Sequence, residues 1–422
     1  MMEIGSYIKL QRVQQGMTQD ELANGIVSMS YLSKIENQRA EASPEVISML
    51  CTRLGIEIDN EKDIDIKDKC EEWYGMLFEV NDKEEIIQRY EELNELLETV
   101  NSNNYIMFEI HKVRYFLVIG EFDNALEQIN DLNEISNTFD NLHLYYWYKF
   151  KGNYNSLSGD YNQAIRMYEL AEEKIKQVNL KNEETADLYY IIAVTHSKIR
   201  NTLESIDYAE QSIEIFQVEY NFIRCAQCHI VLGIAYRRLK MYDNAIKNYN
   251  LAKHLSGLER NNQIIQLTNV NLGYLHSSKG DSRSAIHYYI EVVNDPEVNL
   301  MTKLPAVTSL AKEYYTIGEM DSSKPMLDKG LELFDKLDNK GAFKAQYYIL
   351  LTYKYAMEKD YEKFEKHLIN DFIPYLEKHE EYTYLVDFAN MLGEHFEKQA
   401  KYKKALKYYK LASLTYGKLI NL

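Results

Sequence analysis

Residues 232–252 read Leu232-Gly233-Ile234-Ala235-Tyr236-Arg237-Arg238-Leu239-Lys240-Met241-Tyr242-Asp243-Asn244-Ala245-Ile246-Lys247-Asn248-Tyr249-Asn250-Leu251-Ala252. Small residues (Gly233, Ala245, Ala252) and tyrosines (Tyr236, Tyr242, Tyr249) follow each other at steps of three and four on either side of one six-residue step, and steps of three and four share one helix face. The pattern predicts two helices joined by a short turn. The small residues mark close approach, and the rings fill the gaps between layers.

The same frame recurs along most of the chain. Copies carry Gly120, Phe122 and Ala125; Gly152, Gly159, Tyr161, Ala164, Tyr168 and Ala171; Gly273, Gly280, Ala285 and Tyr289; Gly318 and Leu327; Tyr355, Tyr361 and Leu368; and Leu392-Gly393, Phe396, Tyr402, Ala405, Tyr409 and Ala412. The alanine position falls at 125, 164, 205, 245, 285, 323, 364 and 405, a spacing of 38–41 residues. The unit resembles the tetratricopeptide (TPR) repeat, whose period is about 34. The extra residues should lengthen helices or loops. One hairpin cannot bury its own face, so stacking is expected to give a right-handed α-solenoid with a concave surface. A more degenerate hairpin over 67–104 (Tyr90, Leu93, Leu97) brings the count to eight or nine.

Upstream the grammar differs. Ile4, Ile8 and Leu10 begin an amphipathic helix ending near Gly16, and Thr18-Gln19-Asp20-Glu21 is a capping box. Asn24-Gly25 breaks the second helix. Ser28 caps a third from Met29 to Glu36, with Leu32 and Ile35 on one face, and Ser43-Pro44 starts a fourth that ends before Gly55. Two short helices around a tight turn describe a helix-turn-helix. The run Thr18-Gln19-Asp20-Glu21-Leu22-Ala23, then Ser28, then Leu32-Ser33-Lys34-Ile35-Glu36-Asn37, resembles the λ-repressor-like domain over about 55 residues. Its turn, Asn24-Gly25-Ile26-Val27, is one residue shorter than the usual pattern. The expected organisation is all-α: a helix-turn-helix domain at 1–58, a charged linker at 59–66, and a TPR-like domain at 67–422.

Composition narrows the function. In 422 residues, 48 Lys+Arg face 65 Asp+Glu, and the net charge of −17 argues against bulk adhesion to nucleic acid or anionic membrane. Residues 1–60 hold five basic and eight acidic side chains, a charge of −3. DNA affinity therefore needs helix N-termini, hydroxyls, a few placed cations, and two copies on paired half-sites. A homodimer is the expectation. Cys51, Cys70, Cys225 and Cys228 are no disulfide framework, which points to a reducing, cytoplasmic setting. Cys225 and Cys228 form one Cys-x-x-Cys with no second pair to complete a zinc site, and read as small core residues. No basic-then-apolar leader opens the chain, and no apolar run reaches about 18 residues. No phosphate loop, zinc-protease or nucleophile-elbow motif is present, so neither an enzyme nor a cofactor is expected.

With Leu32 and Ile35 inward, Ser28, Met29, Ser30, Tyr31 and Lys34 face outward. By resemblance to λ-repressor-like domains, Gln19 braces a phosphate, Ser28, Ser30 and Tyr31 approach base edges, and Lys34 meets a phosphate. The competing role for Tyr31 is packing on the adjacent turn. In TPR units, positions 2, 5, 9 and 12 of each first helix face the groove. That frame selects Arg114, Asn153, Tyr190, Gln227, Arg237, Tyr274, Lys312, Tyr315 and Asn390. Asn side chains can bond both sides of an extended peptide backbone, and Arg or Lys can receive a carboxylate.

The order of a λ-repressor-like domain and a degenerate TPR array resembles the RRNPP family of Gram-positive peptide quorum-sensing receptors, and within it the NprR type. The resemblance implies a transcriptional regulator of pseudo-palindromic operator DNA, switched by a short imported peptide in the concave groove, and working as a dimer or higher oligomer. It also implies an alternative: binding a response regulator of the sporulation phosphorelay through the helices at about 67–135 and a glutamine there. Gln88 and Gln128 are available, and no motif selects either. The apolar C-terminal stretch, from Leu406 to Leu422, is a candidate cap or dimer interface.

Overall fold

The computed structural model describes residues 4–55, 63–79, 82–99, 104–337 and 340–420, all helical or irregular with no strand among them. Four short helices come first: α1 (Ile4–Gln14), α2 (Gln19–Ala23), α3 (Met29–Glu36) and α4 (Pro44–Arg53). Nine helix pairs follow: α5 (Asp63–Glu79) and α6 (Lys83–Thr99), α7 (Tyr105–Ile119) and α8 (Phe122–Asn133), α9 (Asn141–Leu157) and α10 (Tyr161–Ile175), α11 (Asn182–Lys198) and α12 (Thr202–Val218), α13 (Phe222–Arg238) and α14 (Tyr242–Leu258), α15 (Asn262–Ser278) and α16 (Ser282–Asn294), α17 (Leu300–Thr316) and α18 (Met320–Asp335), α19 (Lys344–Glu358) and the π-interrupted α20 (Tyr361–His367) with α21 (Ile373–Lys378), and α22 (Tyr382–Lys398) and α23 (Tyr402–Ile420).

The expected linker needs correcting in its second half. Residues 59–62 lie outside the described residues, but residues 63–66 form the first turn of α5, and Ile66 is buried. An acidic run reads as linker by composition, yet acids suit a helix's first turn.

The long period has a simple origin. From α11 to α16 most helices are 17 residues long and each turn is three. The middle residue of each turn, Arg200, Tyr220, Lys240, Arg260 or Gly280, has φ between 53° and 77°. The residue after it donates its N–H back to the carbonyl five residues earlier, as in Met241 N–H to Tyr236 O at 2.9 Å. Asn221, Asn261 and Asp281 then cap the next helix. Every residue at the recurring small position (Ala125, Ala164, Ser205, Ala245, Ala285, Ser323, Phe364, Ala405) is buried.

The recurring frame of glycine and tyrosine has a steric cause. A Cβ on Gly233 would stand 2.3 Å from the Tyr249 ring, and Gly152 with Tyr168, Gly273 with Tyr289, and Gly393 with Tyr409 repeat the contact at 2.3–2.7 Å. In four hairpins the second helix thus sets a tyrosine ring against a glycine of the first.

The chain forms two compact units, Met1–Thr195 and His196–Leu422. In the first, the helix-turn-helix and the helices that follow share one core. Gly5 lets α1 cross α3, since its Cβ would meet the Ile35 carbonyl at 2.0 Å. The Tyr7 and Tyr105 rings meet edge to face at 4.7 Å, Tyr105 donates to Gln14 Oε1 at 2.9 Å, and Gln14 donates to Glu109 at 3.0 Å. Glu109 is buried, and Gln128 and Lys112 reach it at 2.8 and 3.2 Å. In the second unit the chain returns on itself. Arg200, at the turn after α11, donates to Thr383 on α22 at 2.8 Å, and Lys312 on α17 pairs with Asp387 on α22 at 3.4 Å.

Candidate functional site

The helix-turn-helix is built around one buried ion pair. Glu36, at the end of α3, is fully buried and takes Arg12 Nε at 2.6 Å and Nη2 at 3.0 Å. Arg12 also donates to the Met17 carbonyl at 2.8 Å. Gln19 donates to the same Glu36 carboxylate at 2.6 Å, so three helices meet on one side chain. The short turn is braced from α4. Arg53 donates to the carbonyls of Leu22 and Asn24, and Gly25 takes φ +74°. The Ala23 carbonyl accepts both Ile26 and Val27 N–H.

This frame presents α3. Ser28 caps it, accepting from Tyr31 N–H at 3.2 Å, and Ser28, Met29, Ser30 and Lys34 are exposed. Met29 is 54 % exposed between the two serines at the helix start. Tyr31 is half-buried and donates to the Glu41 carbonyl at 2.9 Å, which ties its hydroxyl to the segment before α4. Gln19 is half-buried on Glu36.

The nine groove candidates divide between the units. Arg114, Asn153 and Tyr190 lie in the first. Arg114 donates to the Leu77 carbonyl at 3.4 Å, and Asn153 accepts from the Tyr168 hydroxyl at 2.9 Å. Near them Lys149 is buried between Glu184 at 2.6 Å and Asp187 at 2.8 Å. Burial disfavours its charge, but the two carboxylates outweigh this and hold it above the ordinary lysine value.

Gln227, Arg237, Tyr274, Lys312, Tyr315 and Asn390 lie in the second unit. Gln227 accepts from Arg224 at 3.2 Å. Tyr315 packs on Tyr353 with ring centroids 5.0 Å apart, and Lys312 pairs with Asp387. Asn390 stands one turn beyond Asp387 on α22. Burial raises the Tyr274 hydroxyl, and Ser309 and Arg237 act against it. Burial likewise raises Tyr384 on α22, with Tyr274 adding to it and Arg237 opposing. Arg237 on α13, Tyr274 on α15 and Tyr384 on α22 therefore act on one another electrostatically, and Lys312 on α17 reaches α22 through Asp387.

Sequence reasoning missed the neighbours of Arg237. Arg238 donates to the Ser197 carbonyl at 2.6 Å and hydroxyl at 3.2 Å. Burial, then Arg200 and Arg237, push its guanidinium down to about 10. Arg200 is lowered by burial and by Arg237, with Glu381 opposing. The repeat frame places Arg237 at a groove position but gives no signal for Arg200, which sits in a turn.

Among the described residues no three His, Cys, Asp or Glu side chains are grouped to hold a metal ion, and no helix is long and apolar enough to cross a membrane.

Comparison with known proteins agrees with this layout. The helix-turn-helix family matches residues 8–60, and the family of soluble NSF attachment proteins matches residues 148–318. The chain is 32 % identical to the transcriptional activator NprA of Geobacillus stearothermophilus, over 95 % of this chain and all of that one. It is 26 % identical to the response regulator aspartate phosphatase E of Bacillus subtilis (strain 168), over 80 % of this chain and 91 % of the other. The crystal structure of NprR in complex with its cognate peptide NprX is similar in fold, with a TM-score of 0.61 at 20 % identity, covering 82 % of this chain and 98 % of that one. A helix-turn-helix fused to TPR-like helix pairs, and similarity to NprA along nearly the whole chain, place this protein in the RRNPP family.

Proposed function

We propose that this protein is a cytoplasmic transcriptional regulator that binds operator DNA through α3 and is switched by a short signalling peptide held on the inner face of the second unit. The observation that carries the reading is one chain, similar end to end to a transcriptional activator, that presents an exposed recognition helix and also a face of arginines and tyrosines. Ser28, Ser30 and Lys34 sit where helix N–H groups, hydroxyls and a cation can meet a phosphate or a base edge. A domain of charge −3 binds tightly only in pairs, so the active species is a dimer or larger on paired half-sites. The peptide acts by binding two states of the protein with different affinity.

Fluorescence anisotropy on the DNA upstream of the protein's own gene tests this, with and without synthetic peptides from small reading frames beside it. A peptide-dependent change in affinity in either direction is the expected result. Absence of sequence-specific binding under every condition would refute the DNA-binding role.

The second reading is a partner of a phosphorelay response regulator, favoured by the similarity to the aspartate phosphatase E. Here Gln128 is buried and donates to Glu109, whereas Gln88 is on the surface beside Glu92 at 3.3 Å. Gln88 is the glutamine accessible to such a partner, and a pull-down with the purified response regulator separates the two readings.

A further inference from the structure

Helix α1 has two working faces. Gly5, Lys9 and Arg12, at steps of four and three, look toward α3. Gly5 passes the Ile35 carbonyl, Arg12 binds Glu36, and Lys9 Nζ donates to Asn37 Oδ1 at 3.4 Å. Tyr7 and Gln14, seven residues apart on the opposite face, look toward α7. Tyr7 meets the Tyr105 ring, and Gln14 accepts from the Tyr105 hydroxyl and donates to Glu109 Oε2. Lys9 spans both sides, because its Nζ also donates to the carbonyl of Glu134, the C-cap of α8, at 2.5 Å. A cation on the free carbonyls of a helix C-terminus is a favoured arrangement. Glu109 is 1 % exposed and takes Gln128 of α8 and Lys112 of its own helix besides Gln14. A buried carboxylate holds its donors to narrow directions, since a missing donor leaves a desolvated charge short of a bond. Directional bonds therefore tie the recognition helix to α1, and α1 to α7 and α8.

We propose that the seam between α1 and the α7–α8 pair, made by Lys9, Gln14, Tyr105 and Glu109, is a positioning device that sets the separation of the operator half-sites the protein reads. The inference rests on the DNA-binding reading above and adds what fixes the operator's spacing. A dimer carries two copies of α3, whose distance and relative angle must match the duplex. Each added base pair turns the second half-site by about 35° around the helix axis. A domain free to swing follows that turn and tolerates several separations, whereas a domain held by directional bonds tolerates one. None of the four seam residues lies on α3, so they act on base reading only through its placement. To bind a wrong separation the domain must first leave the seam. The advantage of the right separation over its neighbours is then the stability of the seam, to which each hydrogen bond contributes about two- to tenfold.

The test is selection by the purified full-length protein from a library of random duplex DNA, read by sequencing. Half-site sequence and half-site separation are scored independently. The unchanged protein should enrich paired half-sites at one separation. Two variants cut the seam from opposite sides: Lys9→Met with Gln14→Ala on α1, and Tyr105→Ala on α7. Each should enrich the same half-site sequence while the separations spread. The enrichment of the commonest separation over its neighbours should fall by about fourfold or more, the lower end for two hydrogen bonds lost. Tyr105→Phe, which keeps the ring against Tyr7, should fall between. A sharp separation retained by both cut variants overturns the proposal, and so does a broad spread, or isolated half-sites, for the unchanged protein. If one cut variant loses the half-site itself, the other decides. Loss in both makes the seam a requirement for folding or base reading rather than for placement, and overturns the proposal as well. No enriched sequence for the unchanged protein removes the DNA-binding reading and the seam's role with it.

Discussion

Replacing Gly233 with alanine tests the packing rule of the repeat. In an isolated helix the change is favourable by about 1 kcal/mol, because glycine loses the most backbone freedom on folding. In this fold the new Cβ stands 2.3 Å from Tyr249 Cε1 and 2.6 Å from Cδ1, where ordinary contact begins near 3.4 Å. The ring is fully buried and has no room to swing away, so α13 and α14 must separate by about 1 Å. Overpacking of this kind costs about 1–3 kcal/mol or more, which exceeds the propensity gain. Gly233→Ala is therefore expected to destabilise by about 1–2 kcal/mol. Gly257, on α14, has nothing within 4 Å of the same virtual atom. Gly257→Ala should stabilise by up to about 1 kcal/mol, less any loss from its place near the helix end. Amide hydrogen exchange of α13 and α14 reads both effects locally, which suits a chain of two units that need not unfold in one step. Adding Tyr249→Val to Gly233→Ala should recover part of the protection. Two alanines that move stability in the same direction would refute the glycine–tyrosine account.

Glu36→Ala strands the Arg12 guanidinium and releases Gln19; a loss of about 3–5 kcal/mol is expected across α1 to α3, with DNA binding lost as well. Exchange protection of α3 amides checks the first part and anisotropy the second, while Glu36→Gln should cost less. Burial pushes His111 down to about 3 from 6.5, so the folded state keeps it neutral while the unfolded chain takes up a proton below 6.5. Its contribution to stability is therefore complete above pH 6.5 and falls by about 1.4 kcal/mol per unit as the pH drops toward 3. His111→Phe, which keeps the stack on Tyr74, should flatten that slope in denaturant titrations at pH 4–7. Tyr220 holds φ +55° while 77 % exposed, so Tyr220→Gly should stabilise the α12–α13 turn by about 1 kcal/mol, seen as slower exchange of the flanking amides.

The local grammar was legible where the determinants lie close in the chain. The capping box at Thr18, the caps at Ser28 and Ser43, and the bounds of α3 and α4 follow from side chains bonding backbone groups three residues away. The repeat was legible for the same reason, since each small residue and each ring belongs to a helix face of fixed period. Residues 63–66 of the charged stretch misled because composition does not separate a linker from a helix start rich in acids.

The sequence by itself determined an all-helical chain, the register of its repeat and the bounds of its helix-turn-helix. Tertiary structure decided which neighbours complete them. Arg53 bracing the α2–α3 turn, Gln14 and Gln128 meeting on buried Glu109, and Arg200 reaching Thr383 across 183 residues have no local signature. A helix face repeats every three or four residues and can be read along the chain. A contact between distant turns depends on how many 17-residue helices and three-residue turns add their rotations in between, and that sum exists only in the folded protein.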